Sequence, residues 1–138
     1  PDIDAECKML LNRSGKNPLN SVNCIVSKNE FLEMQSEVQN VFVSDDMARY
    51  IVSLISATRK HPLLSRGASP RATLSLTDMA KAVAFAEGRD YIVPRDVQNI
   101  FICTVNHRII LNAKASASKK NSEEILHEIL RKTPKPRT

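Results

Sequence analysis

Residues 44–58 constrain this chain most. Ser44 precedes Asp45 and Asp46, and Met47, Ile51, Leu54, Ile55 and Thr58 then recur at the three- and four-residue spacing that lines one helix face. The serine hydroxyl can accept from a free amide of the first turn, and the two carboxylates suit the positive end of the helix dipole. A helix with such a stripe is stable only when the stripe is covered, so the rest of the chain must supply apolar faces to meet it.

Other segments offer those faces. Asp2 to Arg13 reads as a helix in which Ile3, Met9 and Leu10 can share a side, with Ser14-Gly15 as the stop. Residues 15–26 read as loop, carrying Asn17-Pro18 and Asn20-Ser21, although Cys24-Ile25-Val26 has the composition to pack on a core. Ser27-Lys28-Asn29-Glu30 is a capping box, with Val26 and Phe31 at staple spacing; Phe31, Leu32, Gln35, Val38 and Val41 follow. Val41-Phe42-Val43 is a short apolar link into Ser44. Pro62 closes the next helix, and a basic loop runs from Arg59 to Ala68.

The fourth helix has Ser69 as N-cap, Pro70 at the first helical position, alanines at 80, 82, 84 and 86, and Gly88 as its stop. Inward-facing alanines let neighbouring helices approach closely. Tyr91-Ile92-Val93 reads as an extended link. Pro94 then opens a fifth helix whose Val97, Ile100, Phe101, Thr104, Val105, Arg108 and Ile109 keep helical spacing. The polar stretch 115–120 interrupts, Asn121-Ser122-Glu123-Glu124 starts a final helix through Leu130, and a disordered tail is expected from Thr133. Alternation never runs long enough to support a sheet, so the expected fold is an all-α bundle of about five to six helices.

Composition narrows the function classes. Apolar residues make up 42% and charged residues 25%, and no apolar run approaches the roughly 20 residues of a membrane span. The first residues carry no export-signal pattern, so a cytoplasmic location is expected. Cys7, Cys24 and Cys103 are odd in number and widely spaced, which points to reduced, mostly packed thiols; His61, His107 and His127 are equally dispersed, and no metal site is expected. Residues 1–48 carry 4 basic and 8 acidic side chains, against 16 and 7 in the remainder, so the net charge of +5 is concentrated after Ala48. That field favours an anionic partner. No phosphate loop, nucleophile elbow or zinc-protease helix is present, and three glycines leave little with which to build a phosphate cradle. Catalysis by this chain alone is not expected.

One local rule is broken. Gly67-Ala68-Ser69-Pro70-Arg71 places a cation in the first turn of a helix, where unpaired amides already carry partial positive charge, a conflict of roughly 0.3–1 kcal/mol if exposed. A bound anion would resolve it, because first-turn amides and a guanidinium fork both suit phosphate oxygens. Pairing of Arg71 with Asp45, Asp46 or Asp78, or simple extension into water, would also account for it.

Val43-Ser44, Tyr50-Ile51-Val52, Ala57-Thr58-Arg59, Pro62, Gly67-Ala68-Ser69-Pro70-Arg71-Ala72, Gly88-Arg89-Asp90-Tyr91, Pro94, Asp96-Val97 and His107-Arg108 resemble, in order and spacing, the C-terminal lid of MoxR-type AAA+ ATPases. The resemblance implies a ring-forming homo-oligomer of chaperone-like character that hydrolyses ATP with Mg when complete. Arg71 would be its nucleotide-sensing arginine, aimed by Gly67, Ser69 and Pro70. It implies inter-domain contacts for Arg59, Arg89 and Arg108. It also implies an ATP-binding core as the lid's own partner, with a von Willebrand factor A-domain protein as a further one. Residues 1–20 would then be the end of that core or a linker helix, and 21–138 the lid, which by itself binds no nucleotide. Val93-Pro94-Arg95 departs from the family pattern, since helix five loses a polar N-cap and gains a cation.

Two other classes compete. A helical nucleic-acid-binding module would use the basic loop Arg59 to Arg66, but the cations are spread over several helices with no recognition-helix pattern, so nucleic acid is not the expected partner. A protein-interaction bundle without a nucleotide role would leave Arg71 dispensable.

Overall fold

The computed structural model describes residues 2–13 and 18–136. The elements run α1 (Ile3–Arg13), a 3-10 turn (Pro18–Ser21), α2 (Lys28–Asn40), α3 (Asp45–Arg59), β1 (Leu64–Arg66), α4 (Pro70–Ala86), α5 (Pro94–Val105), a second 3-10 turn (Asn106–Arg108), β2 (Ile110–Leu111), α6 (Ala113–Ala117) and α7 (Ser122–Lys132). An all-α bundle is therefore correct as a class, with seven α-helices among the described residues. The chain divides into two compact units after Glu33.

In the first unit, Asp2 Oδ1 accepts from Ala5 N at 2.8 Å and starts α1. The Ser27 box forms as the sequence dictates: Ser27 N donates to Glu30 Oε2 at 2.7 Å, and Glu30 N to Ser27 Oγ at 3.2 Å. These bonds hold the Glu30 carboxyl below its ordinary pKa. No residue of α1 is buried, and Ile3, Leu10 and Leu11 are all largely exposed. Within this unit Cys24, Ile25 and Val26 are not buried, and Ile25 is 94% exposed. That segment bonds locally instead, with Cys24 Sγ 3.2 Å from the Val26 carbonyl oxygen. The stop expected at Ser14-Gly15 lies outside the described residues.

The second unit holds the core. Ser44 caps α3 by accepting from Met47 N at 3.3 Å, and the stripe from Met47 to Thr58 is buried. Opposite it, Ala72, Leu76, Ala80 and Ala84 form the inner face of α4, while Ala82 is half-buried and Ala86 exposed. With only methyl groups on three of those four positions, α4 packs closely on α5, its most extensive neighbour, around the fully buried Phe101. Ile125, Leu126 and Ile129 of α7 close the remaining side. Gly88 ends α4 in the left-handed region at φ 74°, and Arg89 N then reaches Ala84 O at 2.9 Å while Gly88 N reaches Phe85 O at 2.9 Å. This is the helix-ending motif for which glycine is the favoured residue.

Four expectations need correction. An antiparallel pair does exist, β1 with β2, interrupted by an irregularity between Leu64 and Arg66. Strands of two and three residues are too short to leave an alternating pattern. The pairing also ends the fifth helix early: after Val105 the chain tightens into the 3-10 turn, and Ile109 is extended, not helical. The polar stretch from Ala115 contains most of α6, because Asn112 Oδ1 accepts from Ala115 N at 3.1 Å and caps a new helix. The three cysteines are exposed, not packed: α1 buries none of its residues, Cys24 lies in no helix, and Cys103 is off the buried face of α5. Beyond α7, no helix or strand is found through Pro136, but Thr133 is tied to the Ile129 carbonyl by both its amide and its hydroxyl.

A charged cluster joins α7 to the loop after α3. Glu128 accepts from Lys120 Nζ at 2.8 Å and Lys132 Nζ at 2.7 Å, which lowers its pKa to about 2. His61 Nε2 lies 4.0 Å from Glu128, and its Nδ1 accepts from Leu63 N at 3.3 Å. Burial lowers the His61 pKa, outweighing the attraction of Glu128, and the two lysines lower it further.

Two outcomes follow for stability. Phe101→Ala should cost about 3–5 kcal/mol in urea unfolding, since its ring is wholly enclosed. Both His61 and Glu128 prefer their deprotonated forms in the folded state. The His61 contribution is complete above its ordinary 6.5 and declines as pH falls through its lowered value; that of Glu128 is complete above 4.5 and is lost as pH falls through about 2. Unfolding midpoints measured from pH 7 to 2 should therefore fall less for Glu128→Gln than for the parent below pH 4.5.

Candidate functional site

The start of α4 carries the broken charge rule. Ser69 occupies the cap position with extended backbone (φ −78°, ψ 167°), but its side chain makes no capping bond; Ala72 N turns to the Ser69 carbonyl at 2.9 Å instead. Pro70 has no N–H to satisfy. Arg71 is exposed, and among the described residues its side chain has no ion pair or hydrogen bond. Pairing with Asp45, Asp46 or Asp78 is thus not the arrangement adopted. A guanidinium, a serine hydroxyl and first-turn amides stand together there, a donor set of the kind that suits phosphate.

This turn is held from outside the helix. Thr58, fully buried in the last turn of α3, donates its hydroxyl to Ile55 O at 2.6 Å and accepts the Ala68 N–H at 2.9 Å. Arg59 Nε donates to the Ala68 carbonyl at 2.7 Å. Both polar groups of the fully buried Ala68 are thereby satisfied by α3, as buried peptide groups must be. Gly67 permits the approach: a Cβ there would lie 2.5 Å from Arg59 Cα and N, and 2.7 Å from the Thr58 carbonyl carbon. Gly67 and Arg59 are therefore brought together with Ser69 and Arg71 through one stretch of chain. Sequence reading assigned Thr58 only to the apolar stripe and missed its bond to a residue ten positions away.

The other two arginines are engaged elsewhere. Arg89 grips Asp96 with both ends of its fork, Nη2 to Oδ1 at 2.6 Å and Nη1 to Oδ2 at 2.8 Å, and also bonds Glu87 at 2.7 Å and the Tyr91 carbonyl at 3.0 Å. Its pKa is raised, chiefly by the Asp96 bonds. Asp96 is fully buried and its Oδ2 accepts from Val93 N at 2.8 Å. The cap that Val93 cannot supply is thus partly replaced from three residues on. The link 91–93 is further fixed by a parallel bridge, Phe42 N to Asp90 O at 2.7 Å and Ile92 N to Phe42 O at 3.1 Å. Asp96 is the carboxylate that fixes this corner, and sequence reading left it without a role; an acid three residues after the cap position and seven after an arginine was the available signal. Arg108 Nε lies 3.1 Å from His107 Nε2, and both line a surface cleft of about 450 Å³ with Asp78 and Cys103. Among the described residues, no group of three or more His, Cys, Asp or Glu is placed to hold a metal ion. None of their helices is long and apolar enough to cross a membrane.

The helical bundle is that of a lid domain: the model of the AAA lid domain family matches residues 56–129. The chain belongs to that family, and its relatives make it a lid of MoxR type. It is 31% identical over 121 residues to Chaperone MoxR1 of Mycobacterium tuberculosis, covering 81% of this chain and 32% of that protein. It is 33% identical over 130 residues to the uncharacterized protein YeaC of Bacillus subtilis, covering 94% of this chain and 41% of the relative. The crystal structure of a candidate ATPase from Cytophaga hutchinsonii superposes with a TM-score of 0.84 at 35% identity, over 99% of this chain and 44% of that one. The chain thus spans less than half the length of these relatives.

The Arg89–Asp96 pair generates a direct test. Arg89→Met keeps the alkyl stem but leaves a buried carboxylate without its counter-ion. Unfolding free energy should drop by about 3–5 kcal/mol; a change under about 1 kcal/mol would show that Asp96 finds other partners.

Proposed function

We propose that this chain acts as the mobile cover of an ATP-hydrolysing ring, with Arg71 approaching the terminal phosphate of a nucleotide held by a separate ATP-binding core. The observation that carries this reading is the exposed, uncommitted guanidinium in the first turn of α4, beside a cap hydroxyl that makes no capping bond. Charge developing on the transferred phosphoryl group would be stabilised there by a preorganised cation, and the same contact would draw the lid inward when nucleotide is bound. Magnesium would come with ATP on the core.

The remaining parts of the reading rest on family membership. The working unit is a homo-oligomeric ring of chaperone-like function in the cytoplasm, with a von Willebrand factor A-domain protein as a partner and no role for nucleic acid. Residues 1–20 belong to the end of the ATP-binding core or to the linker from it. The exposed Ile3, Leu10, Leu11 and Leu19 support that assignment, because an apolar set of this size calls for a cover.

In the complete ATPase, Arg71→Ala should lower the hydrolysis rate on the order of 10²-fold, as removal of one charge-stabilising donor does. Its unfolding midpoint should match the parent, since an exposed side chain without partners contributes little to stability. Unchanged hydrolysis would remove Arg71 from the nucleotide site.

A further inference from the structure

Resting on the reading of Arg71 as a phosphate-facing side chain, we propose that Thr58 and Arg59 are positioning residues for it: the last turn of α3 sets the direction in which α4 presents its arginine. The start of α4 is not fixed from within. Ser69 gives no side-chain cap and Pro70 no amide, so the turn bearing Arg71 lacks a side-chain bond that would normally hold a helix end in place. It is held one residue upstream of Ser69, where Thr58 Oγ1 accepts from the Ala68 N–H at 2.9 Å and Arg59 Nε donates to the Ala68 carbonyl at 2.7 Å.

The Thr58 and Gly67 parts of this latch are themselves fixed. The Thr58 hydroxyl is oriented by its own bond to Ile55 O at 2.6 Å, and its β-branched side chain is fully buried with little rotamer freedom. Gly67 lies so close to the backbone of Thr58 and Arg59 that the loop cannot carry a side chain there. Two bonds and one backbone contact thus tie the peptide that leads into α4, and three residues later the chain reaches Arg71. Arg59 acts here through Nε and a backbone carbonyl, a role distinct from the inter-domain contact its motif implies. Displacing a charged donor by as little as about 1 Å can cost on the order of 10²-fold in rate, so a latch with no contact to nucleotide can still govern the reaction.

The test is a mutant cycle in the complete ATPase, reading ATP hydrolysis and thermal unfolding on the same samples. Thr58→Val removes only the hydroxyl, and Thr58, being buried, cannot reach nucleotide. In the parent background Thr58→Val should reduce kcat by about tenfold or more, and Thr58→Ser should recover the lost rate. In the Arg71→Ala background the same Thr58→Val substitution should change kcat by less than about twofold, because the group it aims is already gone. An equal loss in both backgrounds would mean that Thr58 acts through something other than Arg71 and would overturn the proposal, as would an unchanged rate in the parent background. If Arg71→Ala alone has no effect, the sensor reading fails and this proposal falls with it. If Arg71→Ala lowers the rate and Thr58→Val does not, only the latch fails. Should Thr58→Val not fold, Arg59→Met, which keeps the stem and removes Nε, runs through the same cycle with the same outcomes.

Discussion

The bundle depends on how closely α4 can lie against α5. Ala72, Ala80 and Ala84 bring almost no side-chain volume to the buried face of α4, which lets α5, its most extensive neighbour, approach closely. Such packing has a consequence for connectivity. Small side chains interdigitate weakly, so they do little to fix where along its axis a helix sits, and both ends of α4 must be located by other means. The C-terminal end is located by Gly88, whose left-handed backbone returns the chain toward α5, and by Arg89, whose guanidinium closes on Asp96 at the start of that helix. The N-terminal end is located by Thr58 and Arg59 acting on Ala68.

These two fastenings differ in chemistry because their settings differ. At the α4–α5 junction a fully buried carboxylate requires a counter-charge, and a bidentate arginine provides both charge and direction. At the α3–α4 junction the buried groups are a neutral amide and carbonyl, and a threonine hydroxyl with a single guanidinium nitrogen suffices. Arg59 and Arg89, identical in sequence terms, therefore end in different roles. Arg71 is set apart by having neither.

What could be read from the residues alone was local. The caps at Ser27, Ser44 and Asn121, the proline starts at 70 and 94, and the glycine stop at 88 all express hydrogen bonding within a few positions, and each is found where the spacing put it. The Gly67–Arg71 anomaly was visible for the same reason, as a charge placed against its own helix. What escaped was set by distance or by brevity. Thr58 meets a partner ten residues away and Asp96 one seven residues away, and neither separation carries a periodic signal. The β1–β2 pair is too short to alternate, yet it redirects the end of α5; α6 arises from a single asparagine cap inside a stretch whose composition suggested none. The apolar residues of the first unit followed helical spacing correctly in α1, but spacing alone does not say what covers a face, and Ile25 lies open.

The two charged clusters sit in different dielectric surroundings. Asp96 is wholly enclosed and its arginine partly buried, whereas Lys120 and Lys132 reach Glu128 from more open positions. Mobile ions screen the second arrangement far more than the first. Raising ionic strength would thus slacken the pairs that Lys120 and Lys132 make with Glu128 along α7, while the α4–α5 corner keeps its grip, so that the salt content of a buffer would tune one side of this bundle independently of the other.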